Sequence, residues 1–216
     1  MKYNIEDYIF HKENFMGNKY CDHSIEVLNK ANWRQHEFDY SGESFEEDEA
    51  RNKGEFTVLT GSDLIPSREN NPSEMLDYDA GFDIEVSREL ERIDTLIIEN
   101  LKDALLEYLS TFKFGWFRGW QGYSGIKFNR YLPGQEMRVH WDNIHSMFDG
   151  ERKGVPILSV IGIMNDDYEG GDLMICKNKI DTKKGDLVIF PSTFMYPHQV
   201  MPVTKGVRHS YVSWVW

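Results

Sequence analysis

The sequence predicts an α+β fold that is mainly β, in which a double-sheet jelly roll or a barrel is buttressed by N-terminal helices. Three observations support this prediction. The 216 residues are 40% hydrophobic and include 13 Phe, 11 Tyr and 6 Trp, enough for the core of one domain. A long amphipathic pattern precedes residue 112, and short β-branched and aromatic runs follow Gly115. We expect one domain over residues 1–216, with 1–115 as a helical and loop-rich support region and 116–216 as the β-rich core.

The support region predicts two helices joined by a long irregular stretch. The first helix is expected over residues 20–31, and a strand is expected over 56–60. The acidic cluster at 43–49 is typical of a solvated loop. The second helix, over 87–111, has about six or seven turns, and its apolar face should support a sheet. That face repeats at three- and four-residue spacing through Leu90, Ile93, Ile97, Leu101, Ala104, Leu105 and Tyr108.

The region after Gly115 predicts a series of short strands. Pro-Gly, Gly-Gly and Lys-Gly pairs separate them and indicate turns. Seven strands in about a hundred residues are typical of a double-sheet jelly roll or a barrel. The expected strands cover residues 123–132, 137–144, 155–164, 171–176, 186–190, 195–203 and 207–216.

The charge balance limits the classes of partner. The chain carries 36 acidic against 24 basic residues, a formal net charge of −12. This balance argues against broad attraction to nucleic acid or anionic lipid. The charge is uneven, because residues 1–110 carry a net −15 and residues 111–216 a net +3. The first residues contain no signal-peptide apolar stretch, and no apolar run approaches the ~20 residues of a membrane helix. We therefore expect a cytoplasmic protein without a membrane span.

Three side chains in the β-rich region form a candidate metal site. On a regular strand His140 and Asp142 point to the same face, because side chains alternate. His198, in a later strand, is the best third ligand, and two His with one carboxylate suit Fe(II) with open coordination positions. Ten residues further, Arg208 could hold a carboxylate through two parallel hydrogen bonds.

These residues give the sequence its resemblance to a known family. The pattern resembles the 2-oxoglutarate and Fe(II)-dependent dioxygenases, above all their prolyl 4-hydroxylase-type branch, and the resemblance covers about 123–216. It includes the 184–191 segment and, in order along the chain, Tyr131 to Gly134, His140, Asp142, Gly170, Gly171, Asp172, His198 and Arg208.

The resemblance implies a double-stranded β-helix, or jelly roll, as a catalytic core. It implies His140, Asp142 and His198 as iron ligands, with Arg208 and Tyr131 binding 2-oxoglutarate. It also implies Fe(II), 2-oxoglutarate and dioxygen as cofactor and co-substrates, and it allows ascorbate. The implied reaction hydroxylates a C–H bond, of a peptidyl proline or another amino-acid side chain, and releases succinate and CO2.

Other side chains near the motif have less defined roles. Ser210 should share the strand face of Arg208, and the resemblance places Ser159 where relatives have a threonine near the co-substrate. Alternation directs His145 and His209 away from the site, so neither is expected to be a ligand. Four aromatic residues can either line a substrate groove or pack against the long helix, and packing is favoured; they are Trp116, Phe117, Trp120 and Tyr123.

Two alternative functions remain open at this point. The Asn129 to Asp142 segment also resembles the alkylation-repair dioxygenases, which demethylate nucleic acids, but Trp214 stands where that group has a second arginine. A cupin-like protein could use the same ligands to bind a metal such as Zn(II) without turnover. A peptide or small-molecule substrate is expected, nucleic acid and membrane are disfavoured, and the sequence does not set the oligomeric state.

Overall fold

The computed structural model describes residues 4–35, 73–78, 80–112, 119–120, 122–142 and 156–216. The predicted strand at 56–60 and the acidic cluster at 43–49 lie outside these ranges, as do Trp116, Phe117 and His145. Two α-helices are described, α1 (Asn18–Leu28) and α2 (Ile84–Phe112), after a 3-10 turn at Ile5–Tyr8. Neither helix contains a stretch long and apolar enough to cross a membrane.

The described strands are short and mostly lie in the C-terminal half, as predicted. They are β1 (Phe10–Lys12), β2 (Trp33–Gln35), β3 (Glu74–Leu76), β4 (Lys127–Tyr131), β5 (Met137–His140), β6 (Leu158–Ile163), β7 (Glu169–Gly170), β8 (Leu173–Ile175), β9 (Asn178–Ile180), β10 (Leu187–Pro191), β11 (His198–Val200), β12 (Val203–Lys205) and β13 (Arg208–Val215).

Most of the described strands form two facing antiparallel sheets, and β7 and β12 pair as a separate two-stranded sheet. The larger has the order β1-β10-β6-β13-β4-β3-β2, and the smaller has the order β5-β11-β8-β9. From β4 onward the chain passes back and forth between the sheets, with β4, β6, β10 and β13 in the larger and β5, β8, β9 and β11 in the smaller. This alternation is the topology of a double-stranded β-helix and confirms the predicted jelly roll.

The support region takes part in the larger sheet. β1 pairs with β10, with Phe10 opposite Ile189, and β3 pairs with β4, with Met75 opposite Asn129. These N-terminal strands were not predicted, because each has three residues and forms only through pairing with a distant strand. The first half of the chain therefore widens the sheet as well as covering it.

The long helix buries its predicted apolar face against the outer side of the larger sheet. All seven apolar positions named above are buried, and they share one hydrophobic cluster with Phe128, Val160, Leu187 and Tyr211. Asp94 also accepts a hydrogen bond from the Ile126 backbone N–H at 3.1 Å. Trp120 and Tyr123 pack against the same cluster, as the packing interpretation requires.

Close packing behind the sheet explains one glycine of β6. A Cβ atom built on Gly162 would lie 1.9 Å from Cζ of Tyr211, a fully buried side chain of β13. The position therefore excludes any larger residue unless the Tyr211 ring moves. A second cluster, which includes Met137, Ile161 and Phe190, fills the space between the sheets.

His209 lies on the helix side of β13, facing away from Arg208, as strand alternation predicts. It is buried, and neither ring nitrogen has a hydrogen-bond partner among the described residues. Its ring lies 6.2 Å from that of Trp33, between centroids. Burial lowers the pKa of His209 to about 4. The charge of Arg130 lowers this pKa further, and Asp167 acts in the opposite direction.

This buried histidine predicts acid-sensitive stability. The unfolded chain takes up the proton near pH 6.5, the folded chain only near pH 4. Stability therefore falls as the pH drops through this window, by about 2 kcal/mol at pH 5 for His209 alone. The free energy of unfolding is measured in denaturant at pH 7.5 and pH 5 without added metal. Between these two pH values, His209→Phe should lose less stability than the wild type. His23→Gln, at an exposed position of α1, is the control, and an unchanged pH dependence in His209→Phe would contradict the prediction.

Candidate metal centre

The two sheets bring the three predicted ligand residues together at one end of the space between them. His140 ends β5 and His198 begins β11, and the two residues are directly opposite in the antiparallel pair. Their ring centroids lie 4.2 Å apart. Asp142 Oδ1 is 3.6 Å from Nε2 of His140, and Oδ2 is 3.5 Å from Nε2 of His198. One ligand atom from each residue lies within 4.8 Å of the others, a spacing that can hold one metal ion.

Backbone carbonyls orient both imidazoles for metal binding. Nδ1 of His140 lies 2.6 Å from the carbonyl oxygen of Arg138, and Nδ1 of His198 lies 3.2 Å from that of Tyr196. A carbonyl only accepts, so each Nδ1 carries the proton and donates it. Each Nε2 then carries the ring's lone pair, and it lies 3.5–3.6 Å from an Asp142 oxygen.

The electrostatics of the cluster favour the metal-binding protonation states. Burial, together with the neighbouring His140, lowers the pKa of His198 to about 4 against the attraction of Asp142. Burial opposes ionisation of Asp142. The neighbouring His198 and His140, together with Ser159 and Trp214, outweigh this effect and lower the pKa of the carboxyl. At neutral pH the site therefore contains a neutral His198 and an ionised carboxylate, as metal ligands require.

Asp142 reaches the cluster in a way that the sequence did not predict. The predicted strand 137–144 ends at His140, and Asp142 lies in the bend that follows it. Strand alternation therefore does not fix its side chain. Ser159 of β6 instead donates a hydrogen bond of 2.5 Å to Asp142 Oδ2.

Arg208 and Tyr131 line the floor of the same space. They are directly opposite in the β13–β4 pair, and the guanidinium carbon lies 5.0 Å from the centre of the Tyr131 ring. Burial raises the pKa of Tyr131, so its hydroxyl keeps its proton and can donate it. Nη1 of Arg208 donates to Ser210 Oγ at 2.8 Å, which confirms that these two residues share a face.

The remaining donors of Arg208 have no partner in the part of the chain that the structure describes. The side chain is fully buried, and Nε and Nη2 make no hydrogen bond to any described residue. A buried cation without a carboxylate partner is costly. The arrangement is therefore suited to an anion that enters between the sheets.

A glycine turn closes over the stem of Arg208. Gly171 has φ of +65°, and a Cβ atom there would lie 3.0 Å from both Arg208 Cδ and Tyr168 Cε2. Only a residue without a side chain fits this backbone conformation and this contact without strain. The Gly170-Gly171 pair of the sequence motif thus has a structural role beside the arginine.

Two residues near the site make contacts that the sequence did not predict. Ser159, which the resemblance placed near the co-substrate, hydrogen-bonds Asp142, and it is a polar residue within an otherwise apolar strand. Trp214 helps to lower the pKa of Asp142, and the Lys127 ammonium lies 5.0 Å from the centre of its ring. The sequence showed only that Trp214 replaces the second arginine of alkylation-repair enzymes.

Comparisons with known proteins agree with this geometry. Residues 126–216 match the sequence model of the 2OG-Fe(II) oxygenase superfamily. A PKHD-type hydroxylase of Paraburkholderia xenovorans is 34% identical over 94 residues, 41% of this chain and 40% of the relative. A PKHD-type hydroxylase of Shewanella oneidensis is 39% identical over 94 residues, 41% of each protein. The match thus spans about two fifths of these curated relatives.

Solved structures show the same fold. A Pseudomonas putida prolyl-4-hydroxylase aligns with a TM-score of 0.53 at 17% identity, over 96% of this chain and 91% of that chain. A viral collagen prolyl hydroxylase from Paramecium bursaria Chlorella virus-1 aligns with a TM-score of 0.55 at 18% identity, over 96% and 95%. A Trichoplax adhaerens prolyl hydroxylase, solved with a peptide fragment of hypoxia inducible factor, aligns with a TM-score of 0.55 at 18% identity, over 96% and 83%.

The fold, the His-Asp-His cluster and the matched segment lead to one assignment. Residues 126–216 match the 2OG-Fe(II) oxygenase superfamily, and over this region the chain is similar to PKHD-type hydroxylases in sequence and to prolyl 4-hydroxylases in fold.

Proposed function

We propose that this chain is an Fe(II)- and 2-oxoglutarate-dependent oxygenase that hydroxylates a C–H bond of a peptidyl proline or another amino-acid side chain. The observation that carries the proposal is the juxtaposition of the His140-Asp142-His198 cluster with the buried, incompletely paired Arg208. A dicarboxylate co-substrate fits both features, because one end can reach the metal and the other can pair with the guanidinium.

The residues present fit the implied iron and co-substrate. Two imidazole nitrogens and one carboxylate oxygen suit Fe(II) and leave further coordination positions open. Nε and Nη2 of Arg208, which make no hydrogen bond to a described residue, can donate to the far carboxylate of 2-oxoglutarate. The Tyr131 hydroxyl is a second donor in the same buried space.

Each group of side chains has a distinct task in the proposed reaction. When bound, iron with 2-oxoglutarate and dioxygen supplies the oxidising power for C–H hydroxylation, with succinate and CO2 as products. Arg208 and Tyr131 orient the co-substrate, and Ser210 holds one nitrogen of Arg208 in place. The apolar cluster around Ile161, Ile163 and Val188 excludes water from this floor.

The division of labour along the chain is also a proposal. Residues 116–216 would form the catalytic core, since they contain all five candidate site residues. Residues 1–115 would support it, because β1 and β3 extend the larger sheet and α2 packs behind it. A peptide substrate is supported by the Trichoplax relative, which was solved with a peptide bound.

The proposal is tested on the wild-type chain. Anaerobic addition of Fe(II) and 2-oxoglutarate should produce a weak visible metal-to-ligand absorption band, and aerobic incubation with ascorbate should release succinate. In a library of proline-containing peptides, a product should gain the mass of one oxygen atom. The control omits 2-oxoglutarate. A chain that retains Zn(II) through purification and gives neither band nor succinate would favour a metal-binding protein without turnover.

A further inference from the structure

Ser159 is a polar residue in a strand that is otherwise apolar. β6 is buried along its whole length, and Gly162, its other residue without an apolar side chain, is explained by the Tyr211 ring. Ser159 is 1% exposed, as is Ser192, which follows β10. Buried hydroxyls are costly unless they are hydrogen-bonded, so both serines need a structural explanation.

The hydrogen bonds of these two serines have a single consistent direction. Ser159 Oγ lies 2.5 Å from Asp142 Oδ2 and 2.8 Å from Ser192 Oγ. An ionised carboxylate only accepts, so the one hydroxyl proton of Ser159 goes to Asp142. Ser159 must then accept from Ser192, and the order of donation is Ser192 to Ser159 to Asp142. The backbone N–H of Ser192 is in turn bonded to the Ile157 carbonyl at 3.1 Å, which anchors the far end.

Asp142 depends on such a support because it lies outside β5. The two histidines begin or end paired strands and have carbonyl partners for Nδ1. Asp142 is not paired with a residue of a neighbouring strand, so pairing within the sheet does not fix the direction of its side chain. Ser159 engages Oδ2, and this leaves Oδ1, the oxygen on the His140 side, as the principal atom for a metal.

We infer that Ser159 is a positioning residue for the carboxylate ligand and that Ser192 supports it as a hydrogen-bond relay. The inference rests on the metal site of the proposed function and extends it to two residues outside the five candidate site residues. A carboxylate held through one oxygen occupies one coordination position. A carboxylate free to rotate can bind through both oxygens, and it then occupies a position that the co-substrate or dioxygen needs.

Metal binding measures this role without turnover. Co(II) is titrated into metal-free protein against a competing chelator, and the cobalt absorption intensity reports the coordination number. Ser159→Ala should weaken Co(II) binding by about 10- to 100-fold, the usual effect of removing an outer partner of a metal ligand. Ser192→Ala should cause a smaller loss, and Ser159→Thr, which keeps the hydroxyl, should retain affinity.

The matched control is another buried serine pair in the same sheet. Ser213 is fully buried on the helix side of β13, where it donates to the Ser124 carbonyl at 3.1 Å and lies 3.2 Å from Ser124 Oγ. Ser213→Ala removes a comparable hydroxyl without touching Asp142, so its Co(II) affinity should equal that of the wild type. Thermal unfolding of the metal-free variants shows whether stability changes equally in Ser159→Ala and Ser213→Ala.

The outcomes separate this inference from the proposed function. Wild-type Co(II) affinity in Ser159→Ala, or equal losses in Ser159→Ala and Ser213→Ala, would overturn the positioning role. If Ser159→Ala does not fold, wild-type affinity in Ser192→Ala would overturn the relay. A wild-type chain that binds no Co(II) would overturn the metal site and the relay together. Co(II) binding without succinate formation from the iron-loaded chain would overturn only the proposed reaction.

Discussion

Asp142→Ala is expected to abolish iron-dependent succinate formation while leaving the fold intact. The carboxylate is the only anionic member of the described metal cluster, and its removal leaves two imidazoles. Loss of an outer hydrogen-bond partner costs about 10- to 100-fold in metal affinity. Loss of a ligand itself should cost at least about 100-fold, in Fe(II) binding as well as in turnover. Anaerobic Fe(II) titration and a succinate assay with 2-oxoglutarate and ascorbate measure both quantities.

Another carboxylate provides the control for this substitution. Asp181 is highly exposed, and Nζ of Lys179 lies 3.9 Å from its Oδ1. Asp181→Ala removes the same charge far from the cluster and should retain wild-type iron affinity and succinate formation. Undiminished turnover in Asp142→Ala would disprove its assignment as a ligand.

The candidate site could be predicted largely because its residues lie in segments with strong local patterns. His140, His198 and Arg208 begin or end strands whose apolar residues are visible in the sequence, and their spacing carried the family resemblance. The position of Asp142 was predicted for the wrong physical reason. Strand alternation was expected to orient it, whereas a hydrogen bond from a distant strand does so. No local pattern encodes that contact.

The same distinction between local and distant contacts explains the fold predictions. α2 was predicted to within three residues at its start, since its periodicity is local. The true start is earlier because Asp83 accepts a hydrogen bond from the Glu85 N–H at 2.8 Å and so caps the helix. β1, β2 and β3 were missed because three-residue strands have too few residues to show alternation. The predicted strand 195–203 is divided into β11 and β12, with Met201 and Pro202 between them.

Arg208→Met is expected to have opposite effects on co-substrate binding and on the stability of the free protein. Two donors of the guanidinium have no partner in the described structure, so the buried charge is uncompensated until an anion binds. Methionine fills much of the same volume without a charge, and the co-substrate-free variant should therefore unfold at the same temperature as the wild type or higher.

Charge-assisted hydrogen bonds contribute about 1.5–3 kcal/mol each. Loss of two should raise the KM for 2-oxoglutarate by about 100-fold or more.

Thermal unfolding with and without 2-oxoglutarate tests both effects in one experiment. A bound ligand stabilises the folded state according to its affinity, so millimolar 2-oxoglutarate with metal should raise the Tm of the wild type and have little effect on Arg208→Met. Arg208→Lys keeps the positive charge but lacks the planar guanidinium, and it should bind 2-oxoglutarate more tightly than Arg208→Met.

Arg130→Met is the control, because this arginine points to the helix side of β4 and pairs with Glu74. It should lose stability and keep wild-type affinity for 2-oxoglutarate. The same 2-oxoglutarate affinity in Arg208→Met and the wild type would contradict the proposed binding site, because the guanidinium would then have no part in holding the far carboxylate.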